Sequence, residues 1–257
     1  MDFPLTVIMQ FLADFLLAFT RIAATIGVMV GMGAKTTPTR IKLFLSIAVT
    51  VLALPALPPS PFIDLFSFDM VPIVMQQIIV GSVIGFVSVL MLNTFVLAGQ
   101  IVAIQTGLGF ASMMDPVNGT NVPAVGQFYL ILATLLFWSI DGHIVLIKTV
   151  IYSFETIPIG SGWLDRLSYQ NLYNWGGWLF TTAMVLCLPP VTAMLIINIT
   201  FGILTRAAPQ LNVFTIGFPI TMVAGLIILW STLENFAFHF ENQWFQGLLL
   251  VCKVVGC

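Results

Sequence analysis

Charge is the first thing this sequence lacks. Only 7% of its 257 residues are Asp, Glu, Lys or Arg, against roughly 25% in a soluble domain. Eight basic and ten acidic side chains cannot solvate the surface of a water-soluble protein of this length. They also exclude a disordered chain and a nucleic-acid binder. The net charge of −2 is a small difference between small numbers and implies neither an acidic nor a basic partner. Histidine is nearly absent, with two residues, and cysteine is sparse: Cys187, Cys252 and Cys257 give no disulfide framework and no zinc-ribbon spacing. GxSxG, HExxH and Walker A sequences are missing, as is a pair of carboxylates on one helix. No enzyme, no cofactor and no metal site is expected. No Lys or Arg precedes Arg21, so residues 1–20 read as mature structure rather than as a signal peptide.

What is there is apolar. Hydrophobic residues make up 59% of the chain, with 22 Phe and 6 Trp, and the mean hydropathy is +1.07. Residues 22–34, 43–63, 70–114, 116–140, 167–205 and 207–233 carry no charged side chain. A helix that crosses a bilayer needs about 20 apolar residues, and no segment alternates as a membrane strand does. The sequence predicts an all-α membrane-associated fold of six to eight helices near 5–32, 40–57, 70–103, 123–140, 143–157, 172–188, 191–206 and 213–238. Pro189-Pro190 should end or kink a helix, and Gly99, Gly107 and Gly109 are the weak points of the run 70–114. Leu57-Pro58-Pro59-Ser60-Pro61 is a stiff connector; 107–122 and 158–171 are further connectors. Lys35, Arg40 and Lys42 place the first link in the cytoplasm, with Asp64 and Asp69 outside.

Several polar residues interrupt the apolar runs. Gln76, Gln77, Asn93, Gln100, Gln105, Gln127 and Asn198 read as hydrogen bonds between helices, or less readily as a solute path. Gly27/Gly31 and Gly81/Gly85 have the spacing that lets helices approach closely. Asp14 and Arg21 share a helix face and call for another subunit, a pore or a headgroup. Asp141-Gly142-His143 reads as a helix-to-helix turn in which His143 hydrogen-bonds.

Three stretches carry a resemblance: Gly99-Gln100-Ile101-Val102-Ala103-Ile104-Gln105-Thr106-Gly107-Leu108-Gly109-Phe110-Ala111 running to Asp115-Pro116; Asp141-Gly142-His143 with Ser153-Phe154 and Pro158-Ile159-Gly160; and Arg206-Ala207-Ala208-Pro209-Gln210-Leu211-Asn212-Val213-Phe214 with Gly217-Phe218-Pro219. Thr20-Arg21 and Pro38-Thr39-Arg40 fit the same pattern. In this order, over nearly the full length, they resemble the FliR family, the flagellar branch of the export-gate proteins shared with virulence type III secretion. Thr106 departs from the Met found in many relatives.

The resemblance implies a subunit of a funnel-shaped gate in the bacterial inner membrane and flagellar basal body. Its implied partners are FliP, FliQ and FlhB, transported unfolded flagellar subunits and the lipid membrane, with no nucleic acid. It also implies a FliP-like part, 1–188, and a FliQ-like hairpin, 189–257. On residue types alone the loop 107–121 is a connector; the resemblance makes it a plug, with Gly107, Gly109, Phe110, Met113, Met114, Asp115, Pro116 and Gly119 as the sealing and bending residues. Arg206, Pro209, Gln210 and Asn212 form the turn of the hairpin, either as a cap alone or also as a contact with a neighbouring subunit or FlhB. A small-solute secondary transporter and a purely structural scaffold are the competing readings. The first lacks a repeat and mid-membrane charges, and the second has no need of a Gly-rich loop between long apolar helices.

Overall fold

A computed structural model describes residues 5–33, 37–58, 61, 67–110, 112–114, 121–160, 169–207 and 217–256. The described residues form eight α-helices and one short ribbon: α1 (Leu5–Val28), α2 (Thr39–Ala53), α3 (Met70–Gln105), β1 (Ser112–Met114), β2 (Asn121–Pro123), α4 (Ala124–Ser139), α5 (Gly142–Thr156), α6 (Tyr169–Ala207), α7 (Phe218–Leu233) and α8 (Phe236–Val255). Single 3₁₀ turns follow α2 at Leu54–Ala56 and α3 at Leu108–Phe110. Four segments are long and apolar enough to cross a membrane: Val7–Val28, Thr39–Ala56, Met70–Gln105 and Asn174–Ala207. Two further pairs, α4 with α5 and α7 with α8, qualify as spans bent by 64° and 59°. The expectation of an all-α membrane protein holds, with the ribbon as its one addition.

Three boundaries differ from the sequence expectation, each for a physical reason. Residues 172–188 and 191–206 are one helix, α6, which contains Pro189 and Pro190. Each proline deletes one i→i−4 bond, but in apolar surroundings no water competes for the rest of the ladder. Thr192 Oγ1 donates to the Pro189 carbonyl at 2.9 Å, serving one backbone acceptor beside the prolines. Gly99 does not weaken α3 either; it is a crossing point, where a Cβ would lie 2.8 Å from Gly126 Cα on α4. The expected helix 213–238 is two helices, and α8 extends to Val255. A search for charge-free runs passes over α8 because it carries Glu241 and Lys253. Its buried Phe240, Trp244, Val251 and Val255 recur at helical spacing instead.

The chain divides into two compact units. The first comprises residues 1–90, 137–175 and 246–257. Its core holds Leu17, Ile22, Ile26, Val80, Ile84, Phe137, Val150 and Phe154. Here α1 and the first part of α3 touch backbone to backbone: a Cβ at Gly81 would collide with the Arg21 carbonyl oxygen, and one at Gly85 would lie 2.6 Å from that of Thr25. The Gly81/Gly85 pair therefore acts as its spacing suggests, and Thr25 Oγ1 adds a bond to the Gly81 carbonyl at 3.0 Å. Gly27 meets nothing within 4 Å, while Gly31 (φ +80°) makes room for the Trp138 ring. Helix α2 is inverted relative to a soluble helix: Ser46, Thr50 and Ala53 face inward, and Ile41, Phe44, Val51 and Leu52 face outward.

The second unit comprises residues 91–136 and 176–245. Phe95, Tyr129, Phe236 and Phe240 form its aromatic centre, with ring centroids 5.2–5.5 Å apart along the Phe95–Phe236, Tyr129–Phe236 and Phe95–Phe240 pairs. Cys187 is a free thiol buried in α6, as its apolar run suggests. Cys252, outside this unit, is disulfide-bonded, which three scattered cysteines do not announce.

Candidate functional site

The first unit is organised around a buried arginine. Arg21 is 0% exposed, and its guanidinium grips two other helices. Nε donates to Gln77 Oε1 on α3 at 2.8 Å. One terminal nitrogen donates to the Ser153 carbonyl at 2.8 Å and to Ser153 Oγ at 3.1 Å; the other reaches the Ile157 carbonyl at 2.9 Å. The Phe154 ring lies beneath it, with Cζ 4.0 Å from the centroid. Ser153 and Ile157 lie at the C-terminus of α5, where the helix dipole is negative; the Ile157 carbonyl falls beyond the last turn, and the Ser153 carbonyl accepts the Ile157 N–H at 3.0 Å as well as Arg21. Arg21 is thus a C-cap supplied by another helix, and all its partners are neutral.

Gln76 extends the clasp. Its Nε2 donates to the Pro158 carbonyl at 3.2 Å, and its Oε1 accepts from Gly160 N at 3.2 Å, with Gly160 at φ +76°. The sequence asked for an outside partner for Arg21; the structure supplies one from within the chain. The adjacent Gln76-Gln77 and the later Ser153 were the available signal, but only the fold brings residues 21, 77 and 153 together. Asp14, expected on the same face, bonds Gln10 Nε2 at 3.0 Å instead. The amides at 76 and 77 do bind helices together, as expected, whereas buried Gln127 leaves Oε1 without a protein donor.

The corner at Asp141-Gly142-His143 differs in detail. Asp141 takes the left-handed conformation (φ 56°) that Asp tolerates better than most residues. Gly142 packs on the Phe137 ring, where a Cβ would lie 2.6 Å away. His143 does not hydrogen-bond in the turn. It lies against Trp138, ring centroids 4.4 Å apart, and its buried Nδ1 has no partner.

In the second unit the loop after α3 starts from a fixed base. Thr106 is buried and donates to the Val102 carbonyl at 3.0 Å. A Cβ on Gly225 of α7 would lie 2.6 Å from Thr106 Cβ and Cγ2, so these two small residues fit each other. Gly107 (φ +76°) turns the chain beside Phe218, and Gly109 and Phe110 complete the 3₁₀ turn. Met113 pairs with Val122, and Met114 with Asn121, in the antiparallel ribbon. The sequence expected only a flexible loop here. Asp115, Pro116 and Gly119 lie outside the described residues. Arg206 is exposed in the last turn of α6; Pro209, Gln210 and Asn212 lie outside the described residues. No group of three or more His, Cys, Asp or Glu side chains able to hold a metal occurs among the described residues.

These features define an all-helical membrane protein whose internal polar contacts fasten helices to one another. The chain belongs to the bacterial export proteins, family 1, whose family model matches residues 12–247. It is 34% identical over 236 residues to the flagellar biosynthetic protein FliR of Escherichia coli (strain K12), covering 92% of this chain and 90% of that protein. It is 34% identical over 242 residues to the protein of the same name from Pectobacterium carotovorum, covering 93% and 92%. Against that of Aquifex aeolicus it is 27% identical over 242 residues, covering 94% and 93%.

Proposed function

We propose that this chain is a core subunit of the bacterial flagellar export apparatus. It sits in the inner membrane within the basal body and helps form the channel that passes unfolded flagellar subunits. FliP-like, FliQ-like and FlhB-like proteins are its partners. The observation that carries this reading is similarity along nearly the whole chain to proteins named for flagellar biosynthesis within a family of export proteins. The outward-facing Ile41, Phe44 and Leu52 of α2 and Phe180, Ile196 and Ile203 of α6 agree with it, because exposed apolar helix faces call for lipid or a neighbouring subunit. Residues 1–188 form the FliP-like part and 189–257 the FliQ-like part, with Arg206, Pro209, Gln210 and Asn212 at a subunit contact. Deleting the gene in its own host should abolish swimming and the release of hook and filament protein. The tagged chain should co-purify with FliP-like and FliQ-like proteins. Normal export in the deletion strain overturns the proposal; saturable solute flux by the purified chain alone in liposomes would favour a transporter.

Within that function, residues 107–121 act as the plug. The ribbon supports this reading, since it returns the chain on itself from a base fixed at Thr106 and Gly107. Removing residues 110–116 should leave an assembled gate that leaks small molecules across the membrane. A trimmed gate as tight as the parent would leave the loop as a connector.

A further inference from the structure

A cavity of about 400 Å³ opens in the second unit, and all of its lining residues belong to that unit. We propose that it binds a small neutral amphiphile, an aromatic or branched apolar body bearing one hydroxyl or amide. The volume lies in the range of small-molecule sites, roughly 300–1,000 Å³.

The floor is rigid and apolar. Phe95, Tyr129 and Phe236 are 0%, 6% and 9% exposed and pack ring against ring. One wall is the proline step of α6, with Leu186, Pro189, Pro190 and Ala193. Neither proline has an N–H, so the carbonyls of Val185 and Leu186 lose their usual donors one turn earlier. Leu186, the one of these two that lines the cavity, therefore brings to that wall a carbonyl without its usual donor. The opposite rim is polar and spans the bend between α7 and α8: Ser231, Thr232, Asn235 and His239 lie one helical turn apart or less from their neighbours along it. Tyr129 Oη stands 3.4 Å from Thr232 Oγ1, a hydroxyl pair between floor and rim.

Charge decides the ligand class. No Asp, Glu, Lys or Arg lines the cavity. An ammonium entering it would meet ring faces but no carboxylate, and a carboxylate would meet only the exposed His239 at the rim, so neither finds a full counter-charge among the lining residues. A hydroxyl or amide meets an acceptor at the α6 wall and, at the rim, the N–H donors of Asn235 and His239 together with the Ser231 and Thr232 oxygens, while its apolar body covers the rings. The same chemistry can arrive from water or from the membrane, as the glycerol end of a diacylglycerol.

The test uses the membrane complex in nanodiscs and a diazirine-bearing benzyl alcohol as photolabel. Adducts are expected on Ala193, Ile228 and Phe236, saturable and displaced by benzyl alcohol, with benzylammonium and benzoate at least tenfold weaker. Ala193→Trp, which fills the cavity, should remove these adducts while labelling of the exposed Ile203 face persists. Ser231→Ala should weaken displacement three- to tenfold. If Ala193→Trp does not assemble, the competition series on the parent decides alone. Displacement by diacylglycerol placed in the nanodisc assigns the ligand to the membrane, and displacement by benzyl alcohol only assigns it to water. Adducts that do not saturate, or equal displacement by the charged analogues, overturn the proposal.

Discussion

Replacing Arg21 by Met keeps much of the apolar stem and removes the charge with its donors. Two buried acceptors then lose the guanidinium bond recorded for them, Gln77 Oε1 and the Ile157 carbonyl. The Ser153 carbonyl keeps the Ile157 N–H at 3.0 Å. Each stranded acceptor costs about 1–3 kcal/mol, while withdrawing a buried charge from neutral surroundings returns part of that sum. The net expectation is a loss of about 2–4 kcal/mol of stability, measured by denaturant titration in mixed micelles with near-ultraviolet circular dichroism. Arg21→Lys should be nearly as damaging, because one ammonium cannot reach both α3 and the end of α5 as the planar fork does. The decisive measurement is the cycle with Gln77→Leu. That change deletes one of the two acceptors, so the double variant should be about 1–2 kcal/mol more stable than the sum of the singles predicts. Additivity within about 0.5 kcal/mol would refute the clasp, and so would a Met variant as stable as the parent.

Gly81→Ala drives a methyl into the Arg21 carbonyl and should cost about 1–3 kcal/mol, whereas Gly27→Ala meets open space and should be neutral or stabilising by about 0.5–1 kcal/mol; parallel thermal unfolding compares them. Gly225→Ala places a methyl 2.6 Å from Thr106 and should loosen the base of the loop, read as faster proteolysis near residue 107, with Gly202→Ala as the unhindered control. Arg206→Glu reverses the charge in the last turn of α6 and should impair assembly or swimming; Arg206→Lys should be milder, and wild-type swimming in both would reduce Arg206 to a helix cap.

Helix number and placement were largely legible because absence of charge over about 20 residues is a one-dimensional property. Close approach at Gly81 and Gly85 was legible for the same reason, being a spacing on one helix. Partner choice was not. Arg21 sits 56 residues from Gln77 and 132 from Ser153, and nothing local distinguishes an arginine awaiting another subunit from one that caps a helix of its own chain. Proline misled where a soluble-protein rule was applied to an apolar helix. At Gly107 the glycine signalled a turn but not the ribbon beyond it, since Ser112–Met114 is too short to show alternation.

The deepest limit is visible in α3 and α6. Both are long, both are apolar all round, and their hydropathies are nearly equal. Yet 56% of the apolar window in α3 is buried within the chain, against 28% in α6. Hydropathy records that a side chain avoids water; it does not record what replaces the water. For α3 the replacement is α1 at Gly81, Gly85 and Gln77, the segment after α5 through Gln76, and α4 at Gly99. For α6, Phe180, Met184 and Leu188 remain exposed on successive turns, and Leu195, Ile199 and Ile203 do so again further along. A helix of that kind cannot end its folding within its own chain. The difference between the two helices is therefore a difference between a segment completed by intramolecular packing and one completed by lipid or by another subunit. It follows that variants inside the Arg21 clasp should act on the stability of this chain by itself, while variants on the outward face of α6 should act on its assembly and leave that stability nearly unchanged.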